Sequence, residues 1–425
     1  MSDLEARLRE IERRGLRRRM RLIEGPQGPQ VLLDGNPVTL LCSNNYLGLA
    51  GHPQVREAAA EAALRWGAGA GASRLVSGTM TVHQELERSL AEFELTQGCV
   101  LFGSGYLANL GVIGALAGPG DVVFSDALNH ASIIDGCRLS RARTVVYRHL
   151  DLEHLEWCIA RELGRGARTV GQGANAAAGA TGRSEGHGPR ALIVTDSVFS
   201  MDGDVAPLQE IVELAHRYRA QVMVDEAHAT GALGPGGRGA VAAAGLQDEV
   251  DAVVGTLGKA LGSYGAYVCA SDLTVRYLVN VSRPLIFSTA PPPPSIAAAA
   301  AALGLLREQP QLAQRLRDAA RMLRGALIAE GFAVADSEMH IVPLVARQER
   351  AAVELCEAAL ERGVFAQAIR PPTVPPGTSR LRLTVMATHR DEELHGAARA
   401  LREAAEATGL DPASVGEPSA VAPVL

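Results

Sequence analysis

"AVVGTLGKALGSYGAYVCAS", residues 252–271, sets two apolar runs of strand length on either side of a glycine-rich turn, and the turn carries Lys259. Similar runs recur at "DVVFSD" (121–126), "TVVYRH" (144–149), "ALIVTDS" (191–197) and "QVMVDEAH" (221–228). Runs that are apolar on both faces belong in a sheet covered by helices on both sides. Helical segments lie between them, such as "PLQEIVELAHRYRA" (207–220), with a proline at a plausible first turn. The pattern predicts an α/β fold with a mostly parallel sheet.

Lys259 is the only lysine in the chain; the other 40 of the 41 Lys+Arg residues are arginine. Arginine stays protonated at any usable pH, whereas a desolvated lysine amine loses its proton and attacks a carbonyl. A basic position that has not become arginine is therefore a candidate reactive amine. The ordinary reading, one lysine surviving on a surface loop, is weighed against its neighbours below.

The 425 residues suffice for two domains, and 47% hydrophobic with 21% charged residues describes a globular protein with a large core. A net charge of -6 gives no reason to expect nucleic acid, and "RRGLRRRMR" (13–21) reads as a solvated basic helix face. Six scattered cysteines without a CxxC pair point away from metal ligation and from a disulfide scaffold. No secretory h-region and no membrane-length apolar run is legible, so a reducing cytoplasm is expected.

The expected organisation is an N-terminal arm (1–50), a large domain (51–290) and a smaller C-terminal α/β domain (291–408). A disordered tail (409–425) follows. "STAPPPPSIAAAAAALGLL" (288–306) marks the hinge: four prolines held extended, then an alanine-rich helix. The small domain reads helix 311–330, strand 340–346, helix 350–362, strand 364–370, strand 379–387 and helix 390–407. The Gly/Ala-rich segment 164–190 lacks periodicity and reads as a flexible insertion.

In open parallel sheets, ligands gather beyond the carboxyl ends of the strands. Asp225 sits at one such end with His228 three residues later, Ser200 lies past a second, His130 past a third and Lys259 past a fourth. Separately, each has an ordinary role: His130 as a core or cap histidine, Asp225 and His228 as a strand-end turn. Together they supply the carboxylate, the planar ring and the amine that an aldehyde cofactor with a pyridine ring requires. "FGSGYLANLGVIGAL" (102–116) adds a glycine-rich turn into a helix, with Gly105 and Tyr106 placed to meet a phosphate.

Two rivals fail on spacing. "DEAH" names a helicase motif, but no G-x-x-x-x-G-K-[ST] loop precedes it. "GAGAGAS" (67–73) follows a helical stretch rather than a strand, which removes the context of a dinucleotide fingerprint.

Over nearly its whole length the chain resembles the α-oxoamine synthases, a group of fold-type I pyridoxal-phosphate enzymes. The likeness rests on "SNNYLGLAGHP" (43–53), "GASRLVSGTMTVHQELE", "NHASIIDG", "VFSMDGD", "VDEAHATGALG", "TLGKALGSYG" and "RLRLTVMATH" (380–389), in that order. It implies a seven-stranded sheet, pyridoxal 5'-phosphate as cofactor, and a homodimer with its sites at the interface. It implies Lys259 as covalent anchor, Asp225 on the pyridine nitrogen and His130 on the ring face. His228 and Ser200 would then meet the ring hydroxyl, with Gly105, Tyr106 and Thr256 on the phosphate. Ser288 and Thr289 are placed to reach the phosphate of a neighbouring subunit. Arg370 is implied for the amino-acid carboxylate, with Arg17, Asn44 and Thr373 near the acyl substrate. "AIRPPTVPPGTSRLRLT" (368–384) is most similar to members that join L-alanine to a pimeloyl thioester, on CoA or on acyl carrier protein (ACP). The alternatives are a member using glycine or serine with another acyl-CoA, or a non-catalytic partner subunit of this fold; the retained lysine counts against the latter. The insertion at 164–190 and Tyr106, where some relatives have Phe, are departures from the family pattern.

Overall fold

The computed structural model describes residues 3–169 and 189–416. Seven strands form the central sheet: β1 (Gly98–Phe102), β2 (Val122–Asp126), β3 (Arg143–Tyr147), β4 (Ala191–Asp196), β5 (Gln221–Asp225), β6 (Ala252–Thr256) and β7 (Ala266–Ala270). Their order is β1-β7-β6-β5-β4-β2-β3. From β6 to β3 all neighbours are parallel, and β7 runs antiparallel to both β1 and β6. The apolar runs read from sequence are therefore strands, and β1 is the one they did not reveal. The reversal at β7 follows from the short glycine turn after β6, which cannot house a crossover helix.

Alternate residues of every strand except the edge strand β3 enter separate cores. Val100, Val123, Leu192, Met223, Val254 and Val268 pack on one side, with Cys99, Val122, Ile193, Val224, Val253 and Cys269 on the other. Both faces are buried, which is why these strands read as unbroken apolar runs.

The smaller three-stranded sheet has the order β8-β10-β9: β8 (Ile341–Arg347), β9 (Gln367–Ile369) and β10 (Ser379–Thr384), all antiparallel. The helices Gln311–Ala329, Glu349–Glu361 and Asp391–Ala407 lie where the periodicity puts them. The predicted strand 364–370 is split, because Val364–Phe365 leaves this sheet to pair in parallel with Thr39 and Leu40. The segment expected as an arm is thus partly a hairpin whose second strand pairs with Val364 and Phe365. Only two of the four prolines stay extended: Pro293 and Pro294 open the helix Pro293–Glu308, at positions where a missing N–H costs nothing. Residues 411–416 of the expected tail are structured, with a 3-10 turn at Pro412–Ser414 and a 3.1 Å bond from Val345 N to the Gly416 carbonyl. Helix Leu152–Thr169 runs six residues into the segment 164–190; residues 170–188 and 417–425 lie outside the described residues.

Beneath β7, Tyr267 donates to Glu94 at 2.6 Å, and its hydroxyl also meets Thr230 at 3.1 Å. Burial pushes the Glu94 carboxyl from 4.5 up to about 8, against the hydrogen bond from Tyr267. The folded chain keeps this proton where the unfolded chain has lost it, so the contribution is full below pH 4.5 and lost as pH rises toward 8. Between pH 5 and 8 the melting temperature of Glu94→Gln should fall less than that of the parent; equal slopes in calorimetry would count against a retained proton.

Candidate active site

The turn after β6 places Lys259. Leu257, Ala260 and Leu261 are buried and anchor it, while Gly262 accepts φ +59° at a point where a Cβ would come within 2.4 Å of the Ala50 backbone nitrogen. Lys259 Nζ lies 2.8 Å from His228 Nε2, and His228 Nδ1 lies 2.6 Å from the Tyr46 hydroxyl. Burial lowers the amine from 10.5 to about 8; Asp225 and Asp196 oppose this and Arg382 assists it. At pH 7.5 this leaves about a quarter of the amines neutral, against roughly one in a thousand for an ordinary lysine. His228 is held well below the usual imidazole range by burial and then by the charges of Lys259 and Arg382, so it stands neutral.

Asp225 closes β5 with both oxygens fixed: Asn109 Nδ2 donates to Oδ2 at 2.6 Å and the Ala227 N–H to Oδ1 at 2.8 Å. Asn109 also donates to Ser132 Oγ at 2.8 Å, which is 2.7 Å from His130 Nδ1. His130 caps the helix Ala131–Ser140, and its N–H donates to Asp196 Oδ2 at 2.7 Å. The strands β4 and β5 pair Asp196 with Asp225 in register, and burial followed by the Asp225 charge raises the Asp196 carboxyl well above its ordinary value. The carboxylate, imidazoles and amine expected from the sequence are therefore gathered at the carboxyl ends of β4, β5 and β6.

The helix Gly105–Leu116 points its N-terminus at the same rim, capped by Ser104, whose hydroxyl accepts from Leu107 N at 3.3 Å. A Cβ on Gly105 would approach Thr256 Cγ2 to 2.9 Å, so the helix start and the end of β6 touch. Thr256 Oγ1 is buried there with no hydrogen-bond partner among the described residues. An orphaned hydroxyl beside free helix N–H groups, with a fixed carboxylate and an amine near 8 alongside, fits a phosphate-bearing pyridine aldehyde. Tyr106 is 41% exposed and bonded to Asp135.

Arg382, buried on β10, completes the cluster. It donates to Asn44 Oδ1 at 3.1 Å, to the Tyr46 hydroxyl at 3.2 Å and to the Ser200 carbonyl. Asn44 and Ser200 therefore reach the site, Ser200 by its main chain. Arg370 differs from expectation: its guanidinium is held by the carbonyls of Gly15 and Arg17, and Arg382 is the guanidinium beside Lys259. The Arg17 side chain pairs with Glu12, and Thr373 is exposed with its N–H on the Arg370 carbonyl. Thr289 bridges Ser73, and Ser288 precedes it; neither shares a hydrogen bond with the cluster among the described contacts.

Sequence reading missed Arg382, Tyr46 and Asn109. Each left a mark: an arginine at a strand-core period in "SRLRLT", a tyrosine in a quoted motif, and the lone amide in the otherwise apolar helix "GYLANLGVIGAL".

Residues 36–401 match the family model described as aminotransferase class I and II. An 8-amino-7-oxononanoate synthase from Geobacter sulfurreducens is 47% identical over 410 residues, spanning 96% of this chain and 99% of the relative. Another, from Citrifermentans bemidjiense, is 46% identical over 412 residues, spanning 96% and 100%. A serine palmitoyltransferase from S. paucimobilis, solved with bound PLP and myriocin, superposes with a TM-score of 0.85 at 33% identity, over 96% of this chain and 97% of that one.

With a Lys259 amine of pKa about 8 as the expected nucleophile, the rate at which apo-protein captures pyridoxal phosphate should rise with pH to about 8 and then level. Lys259→Arg should remove the borohydride-reducible visible band while leaving the melting temperature near the parent's; a rate that levels only near pH 10, or a reducible band in the variant, would refute the assignment of the anchor.

Proposed function

The chain belongs to the aminotransferase class I and II family, in its α-oxoamine synthase branch, and we propose that it joins L-alanine to a pimeloyl thioester with loss of carbon dioxide, giving 8-amino-7-oxononanoate for biotin synthesis. The observation that carries this reading is the sole lysine, its amine 2.8 Å from a neutral His228 and within the field of Asp225 and Arg382.

Pyridoxal phosphate, when bound, supplies an aldehyde for the amine and an electron-withdrawing ring that spreads the charge left when a bond to the α-carbon breaks. Asp225 would hold the ring nitrogen, His130 the ring face, and His228 with Ser200 the ring hydroxyl. Gly105, Tyr106 and Thr256 would hold the phosphate. Asn109 and the Ala227 N–H keep the Asp225 carboxylate oriented, one donor on each oxygen. The Lys259 amine, with its lowered proton affinity, takes the α-proton at Nζ and can return it, because near neutral pH both of its forms are populated. His228 accepts from Nζ without adding a charge of its own.

Arg382 is the guanidinium we assign to the alanine carboxylate, as it is buried, fixed by Asn44 and Tyr46, and planar enough for a two-point grip. Asn44, Arg17 and Thr373 border the route of the acyl chain in this reading, with CoA or ACP as its carrier. A homodimer is proposed with it. Val76 (79% exposed) and Phe287 (69%) are apolar residues beside Ser73, Ser288 and Thr289, where a second copy would cover them and receive the two hydroxyls at its phosphate. We place the reaction in the reducing cytoplasm, a setting supported by six free cysteines.

Serine palmitoyltransferase likeness at 33% identity favours a second reading, serine with a long acyl-CoA, over which 47% identity to the alanine-using synthases prevails. With purified holoenzyme, kcat/KM for alanine plus pimeloyl-CoA should exceed that for serine plus palmitoyl-CoA by about a hundredfold or more; the reverse order in product analysis by mass spectrometry would overturn the assignment.

A further inference from the structure

Strand β10 alternates. Leu381 and Leu383 enter the hydrophobic core, while Arg380, Arg382 and Thr384 occupy the strand's other face. Each of these three is tied to a segment outside the small sheet. Thr384 Oγ1 donates to the Ser43 carbonyl at 2.8 Å, Arg382 holds Asn44 and the Ser200 carbonyl, and Arg380 pairs with the Asp202 carboxylate. Arg380 is 1% exposed, and its Nε is occupied by the Thr378 carbonyl at 2.9 Å.

Asp202 lies on a tight loop. Phe199 N donates to the Asp204 carbonyl and Gly203 N to the Phe199 carbonyl, both at 2.9 Å, while Val198 and Val205 bridge across its base. The loop therefore presents Ser200 and Asp202 as one rigid unit. One residue, Met201, lies between its anchor points and one, Leu381, between the arginines that grip them, so loop and strand meet in a single register.

A buried ion pair is a weak source of stability, because removing both charges from water offsets their attraction. Burial indeed works to raise the Asp202 carboxyl, and the Arg380 charge works against it. What such a pair supplies is uniqueness of fit, since a slip of the loop would leave two buried charges unmatched. Arg382 sits two residues along the same strand, bonded to the same loop.

We propose that Asp202 and Arg380 form a positioning pair for Arg382, locking the 198–205 loop to β10 so that the Arg382 guanidinium stays aimed at the amino-acid carboxylate. The pair touches no substrate itself, and the proposal rests on the assignment of Arg382 to that carboxylate. It predicts a defect confined to the amino acid.

The test uses holoenzyme of Asp202→Asn, Arg380→Met, Arg380→Lys and Arg382→Met, with KM measured separately for alanine and for pimeloyl-CoA. Asp202→Asn and Arg380→Met should raise KM for alanine about tenfold, keep KM for pimeloyl-CoA within about twofold, and leave the visible cofactor band in place. Arg380→Lys, which keeps the charge, should recover most of the alanine KM. Alanine KM within twofold of the parent in both Asp202→Asn and Arg380→Met, or an equal loss for both substrates with a lowered melting temperature, overturns the pair's role. Should Arg382→Met also leave alanine KM unchanged, it is the carboxylate assignment that has failed. If Arg380→Met does not fold, Asp202→Asn, which preserves volume and an acceptor oxygen, decides alone.

Discussion

A primary amine withdrawn from water is the constraint around which this molecule is arranged. Desolvation alone would drive Lys259 toward neutrality, and two carboxylates at the ends of β4 and β5 pull the other way. Burial prevails, but only in part, leaving an amine whose proton is neither tightly held nor absent near neutral pH. A neutral His228 is required for that balance; a second full cation at 2.8 Å would push the amine lower still.

The fold supplies this balance through its topology. Parallel strands β4, β5 and β6 deliver Asp196, Asp225 and Thr256 to one rim, and the glycine turn into antiparallel β7 folds Lys259 back over it. The helix Gly105–Leu116 aims its free N–H groups at the same place and sends Asn109, one turn in, to steady Asp225. Charges converge there because neighbouring strands end together, which is a property of register rather than of any single residue.

Much of this was legible. Apolar runs bounded by Gly, Asp and His gave six of the seven sheet strands, because strands buried on both faces carry an unbroken local signal. The seventh, Gly98–Phe102, merges with the glycine turn that follows it, and its last residue was read as part of that turn. Lys259, Asp225, His130 and His228 could be placed because each follows a recognisable strand. Arg382 and Tyr46 could not, since their partners are 182 to 338 positions away along the chain (His228 from Tyr46, Asn44 from Arg382) and no local pattern encodes such meetings. The family resemblance implied Arg370 for the carboxylate, but its guanidinium is held by main-chain carbonyls of the N-terminal segment, and the buried β-strand Arg382 stands at the amine. The split of strand 364–370 was equally hidden, because only the hairpin from the other end of the chain calls Val364 and Phe365 away.

That hairpin bears on how the polypeptide is made. Thr39 pairs with Val364, 325 positions later (364 minus 39), so during synthesis the strand around Thr39 waits for a partner made much later. Until then their unpaired edge is open, and the segment carrying Ser43, Asn44 and Tyr46 has no β10 to rest on. Closure of the chain upon itself therefore awaits these late segments, and a nascent fragment that stops short of β10 would hold Lys259 without Arg382 beside it.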